Sequence, residues 1–129
     1  MIIINPVKRI LIVEDEEVAR EVLVQALELL GYKTLAAENG RYAKQILKHK
    51  PVDLILTDIY MPEVDGLELL EYVRSNGYNL PVVLITGFDA TEAHQALKKY
   101  DRTSLLLKPF RLTTLKSVIE SALNEGESK

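Results

Sequence analysis

Asp53-Leu-Ile-Leu-Thr-Asp-Ile-Tyr-Met-Pro62 carries the reading of the fold. Leu54, Ile55 and Leu56 are consecutive apolar residues, a run far short of the about ten residues a helix needs, and it ends on an acid and a Met-Pro turn signal. Side chains along a strand alternate between faces, so an unbroken apolar run implies that both faces are covered. We therefore expect a strand over Asp53 to Thr57, and Arg9 to Val13 and Pro81 to Ile85 read the same way. Lys33 to Ala37 and Ser104 to Leu107 bring the strand candidates to five.

Each strand candidate is followed by a segment of helical period. The first, Glu17 to Leu30, carries Val18, Val22, Ala26 and Leu30 at i, i+4 spacing beside Ala19, Leu23 and Leu27, with Glu, Arg and Gln expected on its outer face and Gly31 as its stop. Asn39-Gly40 opens the second, Arg41 to Lys48, which Pro51 closes. The third runs from Gly66 to Arg74. The fourth, Thr91 to Tyr100, has Thr91 at its start and a weak stripe of Ala93, Ala96 and Leu97. The fifth, Leu112 to Leu123, presents Leu112, Leu115, Ile119 and Leu123 on one side before a polar tail. Strict strand-helix alternation with right-handed crossovers gives an α/β fold: a doubly wound, five-stranded parallel sheet of order 2-1-3-4-5, a flavodoxin-like three-layer sandwich. We expect one domain over 1–129 with its core over 8–124, and a ligand site outside the carboxyl ends of strands one and three, where the winding reverses.

Composition narrows the chemistry. Leu, Ile, Val and Phe make up 44 of 129 residues, enough for a core without staples. Zero cysteines exclude a disulfide scaffold, a thiolate zinc site, an iron–sulfur cluster and a cysteine nucleophile. His49 and His94 are the only histidines, far apart on helix-like stretches, and are expected at the surface. Sixteen basic against nineteen acidic residues, net −3, provide no basic field for nucleic acid. No apolar run is long enough to span a bilayer and Met1 to Pro6 lacks a signal-peptide pattern, so a cytoplasmic protein is expected.

At the expected switch point lie Glu14 and Asp15 after strand one and Asp58 after strand three. Singly, Asp15 reads as an N-cap and Asp58 as a turn residue. Together, three carboxylates raise one another's pKa unless a cation sits among them. Oxygen ligands without Cys or His favour a hard ion, and a half-protein, half-water shell suits Mg²⁺ or Mn²⁺ better than Ca²⁺. Thr86 and Lys108, at the ends of strands four and five, bring a hydroxyl and an ammonium to the same mouth. This set suits a phosphoryl group: metal and Lys108 neutralise its oxygens, Thr86 donates a hydrogen bond, and a carboxylate attacks phosphorus. Asp58 is the best nucleophile, since the adjacent Glu14 and Asp15 look like the metal clamp.

The segments Ile10-Leu-Ile-Val-Glu-Asp-Glu16, Asp53 to Leu69, Pro81-Val-Val-Leu-Ile-Thr-Gly87 and Leu107-Lys-Pro-Phe110 together resemble the receiver domain of two-component response regulators, from strand one to helix five. The resemblance implies that Asp58 accepts a phosphoryl group from a histidine kinase or phosphotransfer protein. It implies too that Glu14, Asp15, Asp58 and the backbone carbonyl of Tyr60 bind Mg²⁺, and that Lys108 precedes a cis peptide to Pro109, the one bond type for which cis is cheap. It further implies a switch in which Thr86 moves toward the phosphoryl oxygens while an aromatic on strand five turns inward. Here Leu105 stands where that aromatic is usual, and Asp101-Arg102 replaces the usual Gly-Ala pair. These departures bear on coupling and leave the phosphorylation chemistry intact; Gly87 beside Thr86 leaves room for movement.

Tyr60 and Phe88, each two residues past a site residue, are expected to flank the mouth and restrict in-line water, or else to be plain surface aromatics. Output is expected through the face of helix four, strand five and helix five, with His94, Leu105 and Lys116 as candidates for contact with an output protein or a phosphorylation-dependent homodimer. A single-domain relay fits this length, and a piece of a longer regulator or kinase would read the same. The competing class is a magnesium-dependent phosphatase or phosphotransferase with an Asp nucleophile. Against it, Asp58-Ile59-Tyr60 lacks the acid two residues on that such enzymes use, and there is no cap domain. A nucleotide or flavin module would need glycines where the first turn has acids.

Overall fold

The strands β1 (Arg9–Val13), β2 (Lys33–Ala37), β3 (Leu54–Asp58), β4 (Val82–Thr86) and β5 (Thr103–Leu107) alternate with helices α1 (Glu17–Leu29), α2 (Gly40–His49), α3 (Gly66–Ser75), α4 (Thr91–Lys99) and α5 (Leu112–Glu125). This computed structural model describes residues 6–61, 63–87 and 90–125. All strand pairs are parallel, in the order β2-β1-β3-β4-β5 expected from the sequence. The register sets Val13 beside Thr57, Asp58 beside Ile85 and Thr86 beside Leu107. The residues that end or follow β1, β3, β4 and β5 therefore share one sheet edge.

The continuous apolar runs fill two cores. Leu11, Val13, Ile55, Val82 and Leu84 face α2, α3 and α4, where Leu47, Leu69 and Val73 pack on them. Ile10, Ile12, Leu54, Leu56, Val83 and Ile85 face α1 and α5, against Leu23, Leu27, Leu115 and Ile119. Every residue of β3 and β4 is buried. A single Leu→Ala change in such a position costs about 2–5 kcal/mol, the lost transfer free energy plus the cavity left behind.

Local signals fix the helix ends. Asn39 caps α2 by accepting from the Tyr42 N–H at 2.9 Å. Asp65 and Glu68 form a reciprocal capping box at α3, with Asp65 Oδ1 accepting from the Glu68 N–H at 2.9 Å. Gly31 and Gly77, at φ +98° and +80°, end α1 and α3 in the left-handed region. One expected cap differs: the residue before α1 is Glu16, not Asp15, and it makes no side-chain cap bond. Thr91 opens α4, as expected.

The largest correction concerns α1. Its buried residues are Leu23 and Leu27, with Ala26 and Leu30 partly covered, while Val18 and Val22 are 69% and 59% exposed. The two i, i+4 rows sit one residue apart, and the helix is rotated so that the Leu23 row faces the sheet. Leu112 of α5 is also open, at 42%. His49 and His94 are exposed, as expected. Among the described residues no helix is long and apolar enough to cross a membrane.

Candidate functional site

Glu14 and Asp58 are buried at the carboxyl edge, 3% and 8% exposed, where charged groups survive only with partners. Lys108 supplies one: its Nζ donates to Asp58 Oδ2 at 2.9 Å, while the lysine side chain stays 45% exposed. The other carboxylate oxygen, Asp58 Oδ1, accepts from the Tyr60 N–H at 3.2 Å. Glu14 Oε2 accepts from the Glu16 N–H at 3.1 Å. Burial dominates the state of Glu14 and, with the charge of Asp58 and hydrogen bonding to Asp15 and Asp58, outweighs the Glu16 N–H and pushes its pKa up to about 7. For Lys108, burial pulls downward, but the hydrogen bond and charge of Asp58, with Glu14 and Glu16, raise it above its ordinary value.

Thr86 is fully buried at the end of β4, and its carbonyl accepts from the Lys108 N–H at 2.8 Å, tying β4 to β5 at the site. The peptide between Lys108 and Pro109 is cis. Leu105 is half-buried and packs into the core beneath α4, so the position of the missing aromatic is filled by ordinary aliphatic packing.

The structure thus brings Glu14, Asp58, Thr86 and Lys108 to one mouth, with Asp15 exposed beside them. Among the described residues no three His, Cys, Asp or Glu side chains close into a ready metal cage. The donor set nevertheless fits a hydrated hard cation. Burial, the buried Asp58 and the exposed Asp15 raise the proton affinity of Glu14, which marks a site short of positive charge, and all the carboxylate donors are oxygens.

Sequence reasoning missed three contributors. Arg20 Nη1 donates to the Glu14 carbonyl at 2.9 Å, behind the acidic loop. Glu92 Oε1 accepts from the Tyr60 hydroxyl at 3.4 Å. Gly66 lies so close beneath Asp58 that a Cβ there would clash with the Asp58 carbonyl oxygen and meet the Ile59 Cα at 2.9 Å. Gly66 was legible as the start of the third helix, but its closeness to Asp58 needs the fold. Tyr60 is 56% exposed at the mouth. Phe88, its expected counterpart, lies outside the described residues.

The response regulator receiver domain family matches residues 10–120. The chain belongs to that family. A receiver domain is a phosphoacceptor in two-component signalling, and the phosphatase reading is not favoured. Receiver domains generally bind Mg²⁺ at the phosphorylation site and partner with histidine kinases or phosphotransfer proteins. This receiver is 40% identical over 116 residues to the response regulator receiver protein CpdR of Brucella abortus, covering 90% of the chain and 97% of CpdR. It is 36% identical to the regulatory protein AtoC of Escherichia coli, covering 91% of the chain but 25% of AtoC. Among solved structures, the chemotaxis protein CheY4 of Vibrio cholerae aligns with a TM-score of 0.85 at 28% identity, covering 92% of the receiver and all of CheY4.

Proposed function

We propose that Asp58 is the phosphoacceptor, that Glu14, Asp15, Asp58 and the Tyr60 carbonyl hold Mg²⁺, and that Lys108 and Thr86 serve the phosphoryl oxygens. The observation that carries this reading is the buried Asp58 carboxylate held at 2.9 Å by Lys108 beside a protonation-prone Glu14. Mg²⁺, when bound, offsets the negative charge that three carboxyls and a phosphoryl group bring together. An Asp58 oxygen attacks phosphorus as the P–N bond of a phosphohistidine donor breaks, leaving an acyl phosphate on Asp58 and the donor imidazole free. The Lys108 ammonium then exchanges its carboxylate contact for a phosphoryl oxygen, and the Thr86 hydroxyl donates to another. These residues modify only their own aspartate, so the protein is a self-phosphorylating switch and not a turnover enzyme.

The apolar shelf beside this mouth supports docking of the phosphodonor. A cavity of about 340 Å³ is lined by Glu14, Val22, Lys108, Phe110 and Leu112 among others, and Val18 and Val22 continue it onto the exposed face of α1. Output runs through α4, β5 and α5, where the exposed His94 and Lys116 and the half-buried Leu105 are the contacts for an output protein or a second copy. The cytoplasm, where phosphohistidine donors present their catalytic parts, is the fitting compartment.

The test is incubation with a small-molecule phosphodonor and Mg²⁺, followed by intact mass. The parent gains one phosphoryl group and Asp58→Asn gains none. A gain that survives in Asp58→Asn overturns the assignment.

A further inference from the structure

The loop that carries the acids, from Glu14 to Glu16, is held from behind. Its start is fixed to the sheet, where the Glu14 N–H donates to the Ala37 carbonyl at 3.1 Å. Its end enters α1, where the Arg20 N–H donates to the Glu16 carbonyl at 2.9 Å. The carbonyls of Glu14 and Asp15 lie between these anchors, and the Arg20 guanidinium takes both: Nη1 donates to Glu14 at 2.9 Å and, at the outer limit of a hydrogen bond, to Asp15 at 3.5 Å.

In a trans peptide the C=O and N–H point in opposite directions. A guanidinium that draws the Asp15 carbonyl backward therefore turns the following N–H, that of Glu16, forward. There it donates to Glu14 Oε2 at 3.1 Å. The carboxylate that faces Asp58 is thus aimed by a peptide plane whose other end rests on Arg20. Both contacts come from Nη1, whose N–H directions are fixed by the rigid guanidinium plane, whereas the ammonium of a lysine rotates freely on a flexible stem.

We infer that Arg20 is a positioning residue of the cation loop, setting the direction of the Glu14 and Asp15 side chains through their main-chain carbonyls. This rests on the reading of Glu14, Asp15 and Asp58 as the groups that hold Mg²⁺. Arg20 touches neither ion nor phosphoryl group. Its part is to hold the main chain that carries the carboxylates before the ion arrives, so that binding does not have to order that backbone.

Calorimetric Mg²⁺ titration of the parent, Arg20→Lys and Arg20→Met, beside thermal unfolding of each without Mg²⁺, tests this. Arg20→Met should bind Mg²⁺ about tenfold more weakly, and Arg20→Lys should recover no more than part of that loss, because it retains the charge but not the fixed donor direction. Acyl-phosphate formation should return to the parent level at saturating Mg²⁺. Unchanged Mg²⁺ affinity with a lowered melting temperature would show a merely structural arginine and overturn the inference. Tighter binding in Arg20→Met would overturn it too, by showing that the guanidinium acts as a repelling charge. Should Arg20→Met fail to fold, Arg20→Lys alone reads the same constant. A parent that binds no Mg²⁺ refutes the metal reading, and the inference falls with it.

Discussion

The two edges of the sheet handle charge in opposite ways. At the carboxyl edge, Glu14 and Asp58 are buried beside each other with Lys108 as the cation in contact, and Glu14 holds its proton up to about pH 7. At the amino edge, Arg74 spends its guanidinium on four main-chain carbonyls: Leu80 at 2.8 Å, Arg102 at 3.0 Å, Asp101 at 3.1 Å and Tyr78 at 3.2 Å. Arg102 adds a bond to the Asn79 carbonyl. Burial and the neighbouring Arg102 lower the pKa of Arg74, with Asp101 acting in the other direction, yet an arginine stays charged throughout the physiological range. One edge is left with an electrostatic deficit that a ligand can fill. The other joins α3, the loop into β4 and the loop into β5 into one body through main-chain carbonyls, with Arg102 Nε left as a buried donor without a partner. The usual Gly-Ala pair is replaced by Asp101-Arg102 at this second edge, and Arg102 accepts a left-handed backbone at φ +54° there.

The comparison breaks most readily at Arg74. Its replacement by Ala removes four charge-assisted bonds, three of them partly buried, and should cost about 4 kcal/mol. Urea unfolding reads this as a lower midpoint with an unchanged slope. The folded variant should still label fully on Asp58. A loss under about 1 kcal/mol, or loss of labelling in the folded protein, would mean the edges are not divided as described.

Glu14→Gln should act in the opposite direction. The folded pKa of about 7 lies above the ordinary 4.5, so below pH 4.5 both states are protonated and Glu14 costs nothing. Between 4.5 and 7 the unfolded chain ionises first, stability falls as pH rises, and above 7 the full cost persists. Removing the charge should therefore stabilise the metal-free protein at pH 8 by up to about 3 kcal/mol and change little at pH 4. Thermal melts at the two pH values, with and without Mg²⁺, check it. Mg²⁺ should raise the melting temperature of the parent more than that of the variant. Equal stability of parent and variant at pH 8 would show that the site carries no such deficit.

What was legible in the sequence divides along the same line. The β1 and β2 strands fall where the apolar runs placed them, and β3 and β4 are shifted by one residue, so that Asp58 and Thr86 close their strands instead of following them. Glu14, Asp58, Thr86 and Lys108 could be grouped without coordinates because topology sends strand ends to one edge. Arg20, Glu92 and Gly66 could not. Their roles depend on main-chain carbonyls and close backbone approach, which leave no residue-type pattern. The rotation of α1 was hidden for a related reason: rows beginning at Val18 and at Ala19 are equally apolar, and only packing against Ile10 and Ile12 selects between them.

The smallest expected effect sharpens what the open edge does after phosphorylation. Tyr60 lies two residues past Asp58, exposed, with its hydroxyl reaching Glu92 in the first turn of α4 at 3.4 Å. If its ring restricts the line along which water approaches phosphorus, Tyr60→Asn should shorten the acyl-phosphate lifetime about threefold, under 1 kcal/mol of barrier. Tyr60→Phe separates ring from hydroxyl. It keeps the bulk but loses the Glu92 contact, so a lifetime equal to the parent assigns the shielding to the ring. A short lifetime in Phe as well as Asn would instead make the tether to α4 the controlling feature. Equal lifetimes in all three would leave Tyr60 a plain surface aromatic. Phosphate release timed by intact mass after removal of the donor distinguishes these outcomes, and it does so at the edge where a sub-kilocalorie change is read directly as a rate.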